Sequence, residues 1–367
     1  MAYYDRYRGS RRRKRNRIKI ILLILLLLVV IGLAALFLLQ DAVVFTSNGF
    51  HIPFGSQQKD VSDDPPLDPD DIHLEIEAPQ PGGQDVLQSG QSDTQQPQLP
   101  IPAKPAPVVL EQTAALLLDG TSLLADRADV LRRISEGGYV QMALHVKTPD
   151  GIALVDDGTV KDGLSPDSEA FLQALEGVEV PKIAVISALR DNVRPRTGYR
   201  DSALHTSSGA TWLDREYISW FDPAGKDTLE CLVAMIDACK AAGFEQVVLE
   251  NFHYPNAGKL ELIDYGGESS RTDALARLAS KLRGSTNMTL GLMLTEQAAS
   301  SLTDDISGQD VAALAPFFDR MYAPGGFDTD LSALDSAAEG TQCEIGLYVS
   351  ASGQAPADFD RNFLQIP

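Results

Sequence analysis

Cysteine is scarce in this chain, three residues in 367, and that scarcity excludes a disulfide framework. Cys231 and Cys239 lie eight positions apart in one predicted helix; they share a face but stand about 12 Å apart along its axis, too far to bridge. The fold must therefore rest on a hydrophobic core. No Cys-x-x-Cys pair or Cys/His cluster has the spacing of a structural zinc site. The sequence also lacks a P-loop, a Gly-x-Gly-x-x-Gly turn after a strand and a Gly-x-Ser-x-Gly elbow, so no cofactor is expected.

Positive charge is concentrated at one end. The first nineteen residues hold Arg6, Arg8, Arg11, Arg12, Arg13, Lys14, Arg15, Arg17 and Lys19 against Asp5 alone. Residues 20–39 then carry no charge at all. Twenty apolar residues at about 1.5 Å each span about 30 Å, the thickness of a bilayer's hydrocarbon core. The alternative, a cleaved signal peptide, has a shorter apolar region of about 7 to 15 residues and small residues at its cleavage site. This run ends Leu36-Phe37-Leu38-Leu39-Gln40 without a clear Ala-x-Ala. The reading is a basic cytoplasmic tail over 1–19, a transmembrane helix over 20–39, and an extracytoplasmic remainder, oriented by the basic flank.

The net charge of −20 is thereby split, because the part beyond residue 19 keeps 22 Lys and Arg against 50 Asp and Glu, near −28. Such an exterior repels nucleic acid and anionic polymers, so no nucleic-acid partner is expected. Residues 40–107 read as an extracytoplasmic linker. Its stretch 56–107 is rich in Pro, Gln, Asp, Ser and Gly and buries too little apolar surface to offset its ordering entropy. One interruption, IHLEIEA at 72–78, alternates like a strand.

From residue 108 to 367, strands and helices alternate. Strands are predicted at 114–120, 139–146, 182–189, 245–249, 288–294, 318–322 and 344–349, with helices at 122–136, 227–242, 271–283, 311–315 and 331–339. Alternation of buried strands with helices means a parallel sheet, and seven units over this length have the size of a TIM-type (β/α)8 barrel. No eighth strand is evident in the tail that ends DFDRNFLQIP. An incomplete barrel or a doubly wound sheet is the alternative.

In barrels, groups that do chemistry stand at the C-terminal ends of strands and in the loops after them. The candidates there are His145, Lys147, Arg190, Asp191, Glu250, Asn251, His253, Glu296, Tyr322 and Tyr348. Glycoside hydrolysis needs two carboxylates, an acid and a nucleophile or base; Glu250 with Asp191, Asp222 or Glu296 could supply them. Both tryptophans, Trp212 and Trp220, fall with Tyr217 in one loop, where aromatic faces either stack on sugars or cap the core. A zinc reading would collect His145, His253 and Glu250, but no ligand motif supports it.

Five stretches carry a resemblance: LHVKTPDG (144–151), KIAVISALRD (182–191), ATWLDREYISWFDP with its following helix (210–243), EQVVLENFHYP (245–255) and FDRMYAP (318–324). In order and spacing the chain resembles, over about 110–350, the glycoside-hydrolase-like domains of bacterial anchored or secreted proteins, a domain of unknown function grouped with the α-amylase-like TIM barrels. The resemblance implies a carbohydrate polymer as partner, with Glu250 as catalyst and Asn251, His253, His145, Trp212, Tyr217, Trp220 and Tyr322 near the ligand. The family's usual Asp-Tyr-x-Arg-Phe-Pro run reads Glu250-Asn251-Phe252-His253-Tyr254-Pro255 here, and His145 stands where an Asp is usual. The rival reading is a glycan-binding or envelope scaffold domain with a degenerate barrel site.

The topology makes a prediction. Protease added to intact cells should cut within 56–107 and release the domain, leaving a small anchored fragment. A domain protected until lysis would overturn that orientation.

Overall fold

The computed structural model describes residues 44–46, 49–51, 114–267, 270–350, 355–356 and 359–367. The chain divides into two units, Met1–Gln91 and Ser92–Pro367. In the first, Val44–Thr46 and Gly49–His51 pair as an antiparallel hairpin. The expected transmembrane helix at 20–39 and the strand-like stretch at 72–78 lie outside the described residues. Among those described, no helix is long and apolar enough to cross a membrane.

The second unit is a closed barrel of eight parallel strands. In chain order they are β1 (Ala114–Asp119), β2 (Gln141–Lys147), β3 (Lys182–Ser187), β4 (Gln246–Glu250), β5 (Thr289–Met293), β6 (Arg320–Pro324), β7 (Glu344–Val349) and β8 (Phe363–Gln365). Each pairs with the next and β8 pairs back on β1, Leu364 opposite Ala115. The ring is complete, as the (β/α)8 expectation has it, and the alternatives of an incomplete barrel or a doubly wound sheet fall away. The missing strand is the Phe-Leu-Gln of the tail, three residues long and too short to show a period. Between the strands run helices α1 (Ser122–Glu136), α2 (Ser168–Leu175), α3 (Thr228–Ala241), α4 (Arg271–Ser285), α5 (Glu296–Ser301), α6 (Val311–Leu314) and α7 (Ser332–Ala337). The short α2 and α5 were not predicted, since one and a half to two turns carry little helical periodicity.

The strands are apolar on both faces, as a sheet covered by helices requires. Inward-facing Ala115, Leu117, Ala143, Ile183, Val185, Val248, Met293, Tyr322 and Leu364 pack together inside the barrel. Their neighbours Leu116, Leu118, Met142, Leu144, Ile186, Val247 and Leu249 belong to the outer core, with Val130 and Ile134 of α1, Leu232 and Met235 of α3, and Leu275 and Leu278 of α4. Tyr322 is fully buried in the interior, and its hydroxyl accepts from Gln246 Nε2 at 3.1 Å. A Cβ on Gly291 would stand 3.1 Å from that ring and 2.8 Å from Val248, so glycine makes room there. Tyr322 is thus a core residue and cannot meet a ligand at the mouth.

Leu364 sits at the seam that closes the ring and is fully buried. Leu364→Ala should cost about 2 to 5 kcal/mol in denaturant unfolding, the range for a buried leucine truncated in a close-packed site. An unchanged midpoint would show that the tail does not close the barrel.

Candidate active site

Inward alternation continues from Ala143 to His145 and from Val248 to Glu250, which brings both residues to the C-terminal mouth. There the His145 Nδ1 stands 3.9 Å from Glu250 Oε2, with the two side chains 29% and 31% exposed. Tyr348, at the tip of β7, borders the same space: burial, and secondarily the charge of Glu250, push its phenol above the ordinary tyrosine value. Asp119 ends β1 opposite His145 in register, and its Oδ1 accepts from the Thr121 amide and hydroxyl at 2.9 Å each. Sequence reading passed over Asp119 because it was counted as part of an apolar strand.

A bulge lies in β2 between His145 and Lys147. One extra residue re-aims the side chain that follows. Lys147, next in the inward series, instead lies buried against Ile186, Cys231, Leu232 and Met235, between β3 and α3. Its ammonium donates to Ser187 O and pairs with Asp191 Oδ2 at 3.0 Å. Asp191 is wholly buried; its Oδ2 also meets Arg194 at 3.0 Å, and its Oδ1 accepts from the amides of Val193 and Arg194. Arg194 reaches on to Asp157 at 2.6 Å and donates to Gly151 O. Gly151 has φ of +82°, and a Cβ there would lie 2.4 Å from Asp191 Oδ1, so both the turn and the carboxylate demand glycine. Burial opposes ionisation of Asp191, but Lys147 and Arg194 outweigh it and hold its carboxyl below the usual range. Burial pulls the Lys147 ammonium below its ordinary value, although Asp191 draws it back.

Asp191 is therefore a structural anion out of contact with the mouth, and it does not line the cleft with Glu250. Asp222 does not line it either: its Oδ1 accepts from Ala224 N at 2.9 Å and from the Tyr254 hydroxyl at 3.5 Å.

The cleft holds about 730 Å³, within the range of ligand sites. From the strand tips it is lined by Arg190, Glu250, Asn251, His253, Thr295 and Glu296, and from the hairpin before α3 by Asp214, Arg215, Glu216 and Trp220. Asn251 takes a left-handed φ of +54°, which asparagine tolerates better than most residues. Its Nδ2 donates to Ser187 Oγ at 3.1 Å, and its carbonyl accepts from Leu189 N, so the turn after Glu250 is tied to the tip of β3.

Two of the cleft's carboxylates are already engaged. Arg190 pairs with Asp214 at 2.8 Å and with Glu216 at 2.5 Å, and Trp220 Nε1 donates to Asp214 at 3.1 Å. Burial opposes ionisation of Asp214, but Arg190 and three further donors hold its carboxyl below the usual range. Glu250 and Glu296 have no Lys or Arg within ion-pair distance among the described residues, and Glu296 is exposed at the start of α5.

His253 is 8% exposed, with its ring 5.4 Å from that of Trp220. Its Nδ1 lies 2.6 Å from Tyr254 O, a carbonyl that can only accept, so Nδ1 carries the proton. Burial lowers its pKa and keeps the ring neutral, which leaves Nε2 a bare lone pair.

The aromatic residues separate. Trp220 lines the cleft, whereas Trp212 is 2% exposed and donates its Nε1 to Lys259 O at 3.0 Å, a core residue. Tyr217 is 76% exposed at the hairpin tip with φ of +62°, outside the cleft lining. Sequence reading missed Asp214, Arg215 and Glu216 because the aromatics around them drew the attention; a charged Asp-Arg-Glu run between two tryptophans was the available signal. Among the described residues no group of three or more His, Cys, Asp and Glu is arranged to hold a metal ion. The considered set of His145, His253 and Glu250 is not such a group.

Residues 135–322, more than half of the chain, match the family described as "Putative glycosyl hydrolase domain", and the chain belongs to that family. Its fold is similar to the PgaB (BpsB) glycoside hydrolase domain from Bordetella bronchiseptica, with 11% identity and a TM-score of 0.50 over 70% of this chain and 94% of that one. A hypothetical protein from Ruminiclostridium thermocellum gives 15% identity and a TM-score of 0.42 over 48% of this chain and 96% of that one. The glycoside hydrolase domain of PelA from Pseudomonas aeruginosa gives 12% and 0.39 over 66% and 85%. No curated protein matches the chain. The barrel is thus glycoside-hydrolase-like.

The ion network yields a stability prediction. Asp191→Asn should cost about 3 to 5 kcal/mol, because it leaves Lys147 buried without its anion and Arg194 with Asp157 alone. Since the folded pKa of Asp191 is depressed, its contribution is present above the unfolded value of about 3.9 and is lost as pH falls below it. Urea titrations at neutral pH and below pH 4 check both; equal stability of wild type and variant at neutral pH would show that the network contributes nothing.

Proposed function

We propose that the protein is a membrane-anchored glycoside hydrolase whose domain lies outside the cell membrane and cleaves a cell-envelope or extracellular glycan. One observation carries the catalytic part: Glu250 and Glu296 line one cleft at the C-terminal mouth, and neither is tied to a Lys or Arg, while the other two cleft carboxylates are. Glycoside hydrolysis needs such a pair, free to exchange a proton and to face an anomeric carbon. Glu250, part-buried at the end of β4, acts as the carboxylate at that carbon. The His145 Nδ1 stands 3.9 Å from its Oε2 at the same mouth. Glu296, exposed at the rim, gives its proton to the departing glycosidic oxygen, so that the C–O bond breaks without expelling an alkoxide. Trp220 and Asn251 shape the wall behind the sugar. The basic flank and the uncharged 20–39 segment support the anchor, and the acidic charge beyond it favours neutral or cationic partners.

The test is a panel of cell-wall and plant glycans offered to the purified full chain, read for binding and for release of reducing ends. Glu250→Gln and Glu296→Gln should each lower product release by about 10² or more, the usual weight of a positioned acid or base, with binding largely kept. Wild-type turnover in Glu250→Gln would remove it as catalyst. Binding by the wild type with no product from any glycan would assign the domain to glycan binding instead.

A further inference from the structure

The hairpin that walls one side of the cleft places an unexpected residue at its turn. Leu213 bridges Ser219, Asp214 N donates to Ile218 O at 3.0 Å and Tyr217 N to Asp214 O at 3.0 Å, so residues 215–217 form a three-residue loop. Such a loop closes on a residue in the left-handed region, where glycine is the usual occupant. Here that place is taken by Tyr217, with φ of +62°. Two other non-glycine residues share the region among those described, and each has its compensation: Asn251 tolerates the conformation, and Leu302 packs against the core. Tyr217 has neither, because at 76% exposed it shows more of itself to water than any other large hydrophobic side chain among the described residues. A strained, bulky residue that packing does not repay marks a functional demand.

The second observation is where this tip stands and how firmly it is held. Its neighbours Arg215 and Glu216 line the cleft, and so does Trp220 at the base of the same hairpin, so the hairpin carries one aromatic ring inside the cleft and one beyond it. Asp214 Oδ1 accepts from the amides of Glu216 and Ile218 at 2.8 and 3.0 Å, while Arg190 ties both Asp214 and Glu216 to the tip of β3. The loop is therefore set before any ligand arrives. A flat ring presented on a preformed turn loses little conformational freedom on stacking, which is what an aromatic platform for a sugar requires.

We infer that Tyr217 is a distal stacking platform: a glycan chain long enough to run out of the cleft past Arg215 and Glu216 lays a sugar ring on it, so that the site favours long chains over short ones. This rests on the reading of the cleft as a glycan site and goes further by naming the residue that selects for chain length.

The experiment titrates the full chain with the dimer and the hexamer derived from each of cellulose, chitin, xylan and mannan, and unfolds the same proteins in urea. Tyr217→Asn, whose side chain tolerates the left-handed turn, should weaken the hexamers that bind by about two- to tenfold, the factor that one stacked ring supplies, and leave the dimers unchanged. The same variant should keep or raise the urea midpoint, because it relieves the turn. Tyr217→Trp should retain hexamer affinity. Unchanged hexamer affinity in Tyr217→Asn, or an equal loss for dimer and hexamer, would overturn the inference while leaving the glycan reading standing. A lowered urea midpoint would also overturn it, since the ring would then be serving the fold. Failure of every hexamer to bind the wild type would overturn the inference and count against the glycan reading as well.

Discussion

The mouth of this barrel depends on one buried cluster of charge, in which Asp191 is gripped by Lys147 and Arg194 while Arg194 also holds Asp157. These groups come from the end of β2, the loop after it and the loop after β3, segments joined by short bridges such as Lys147 with Ala153 and Arg190 with Trp220. In a low-dielectric setting an unpaired member is so costly that the loops cannot part without exposing the whole set to water. The network therefore reinforces those few bridges, and its position helps fix the backbone from which Arg190 extends. Ser187 accepts from Asn251, and Asn251 follows Glu250 directly, so the placement of the candidate catalyst is tied through two hydrogen bonds and one strand tip to a cluster it never touches.

The β2 bulge is what allows both arrangements on one strand. Without it His145 and Lys147 would point the same way, two residues apart, and the lysine would enter the mouth beside Glu250. A cation there would offset the charge of Glu250. By turning Lys147 outward the bulge gives that cation to Asp191, and it leaves the imidazole of His145 at the mouth. The partition recurs at the hairpin, where Arg190 spends its donors on Asp214 and Glu216 rather than on Glu250. Cations near the site thus serve as scaffolding, and the cleft keeps its surplus of acceptors.

Much of this was legible in the sequence, and the rest was hidden for physical reasons. Seven strands were found because each is a run of five to seven residues buried on both faces. The eighth escaped because three residues close the ring, held by neighbours on both sides rather than by a pattern of their own. Glu250, Asn251, His253, Glu296 and Trp220 were expected near one another and do share a cleft. Their spacing from a strand tip is a local property, and locality is what sequence reports well. Asp191 sits four residues past a strand tip, where a catalytic acid could stand, but the cations that bury it lie 44 residues before and three after it. Trp212 and Trp220 look alike in sequence; the first points into the core and the second toward the ligand, a difference set by the hairpin between them.

His253 gathers these constraints in one side chain. Its backbone lies three residues past Glu250, its Nδ1 is fixed by the carbonyl of the next residue, and the Trp220 ring packs 5.4 Å away. A permanent cation at this position would add fixed positive charge to the cleft wall; the neutral ring offers an acceptor, Nε2, in its place. The cations around the mouth stay in the ion pairs of Lys147, Arg190 and Arg194, so Glu250 and Glu296 share the cleft with no Lys or Arg within ion-pair distance among the described residues.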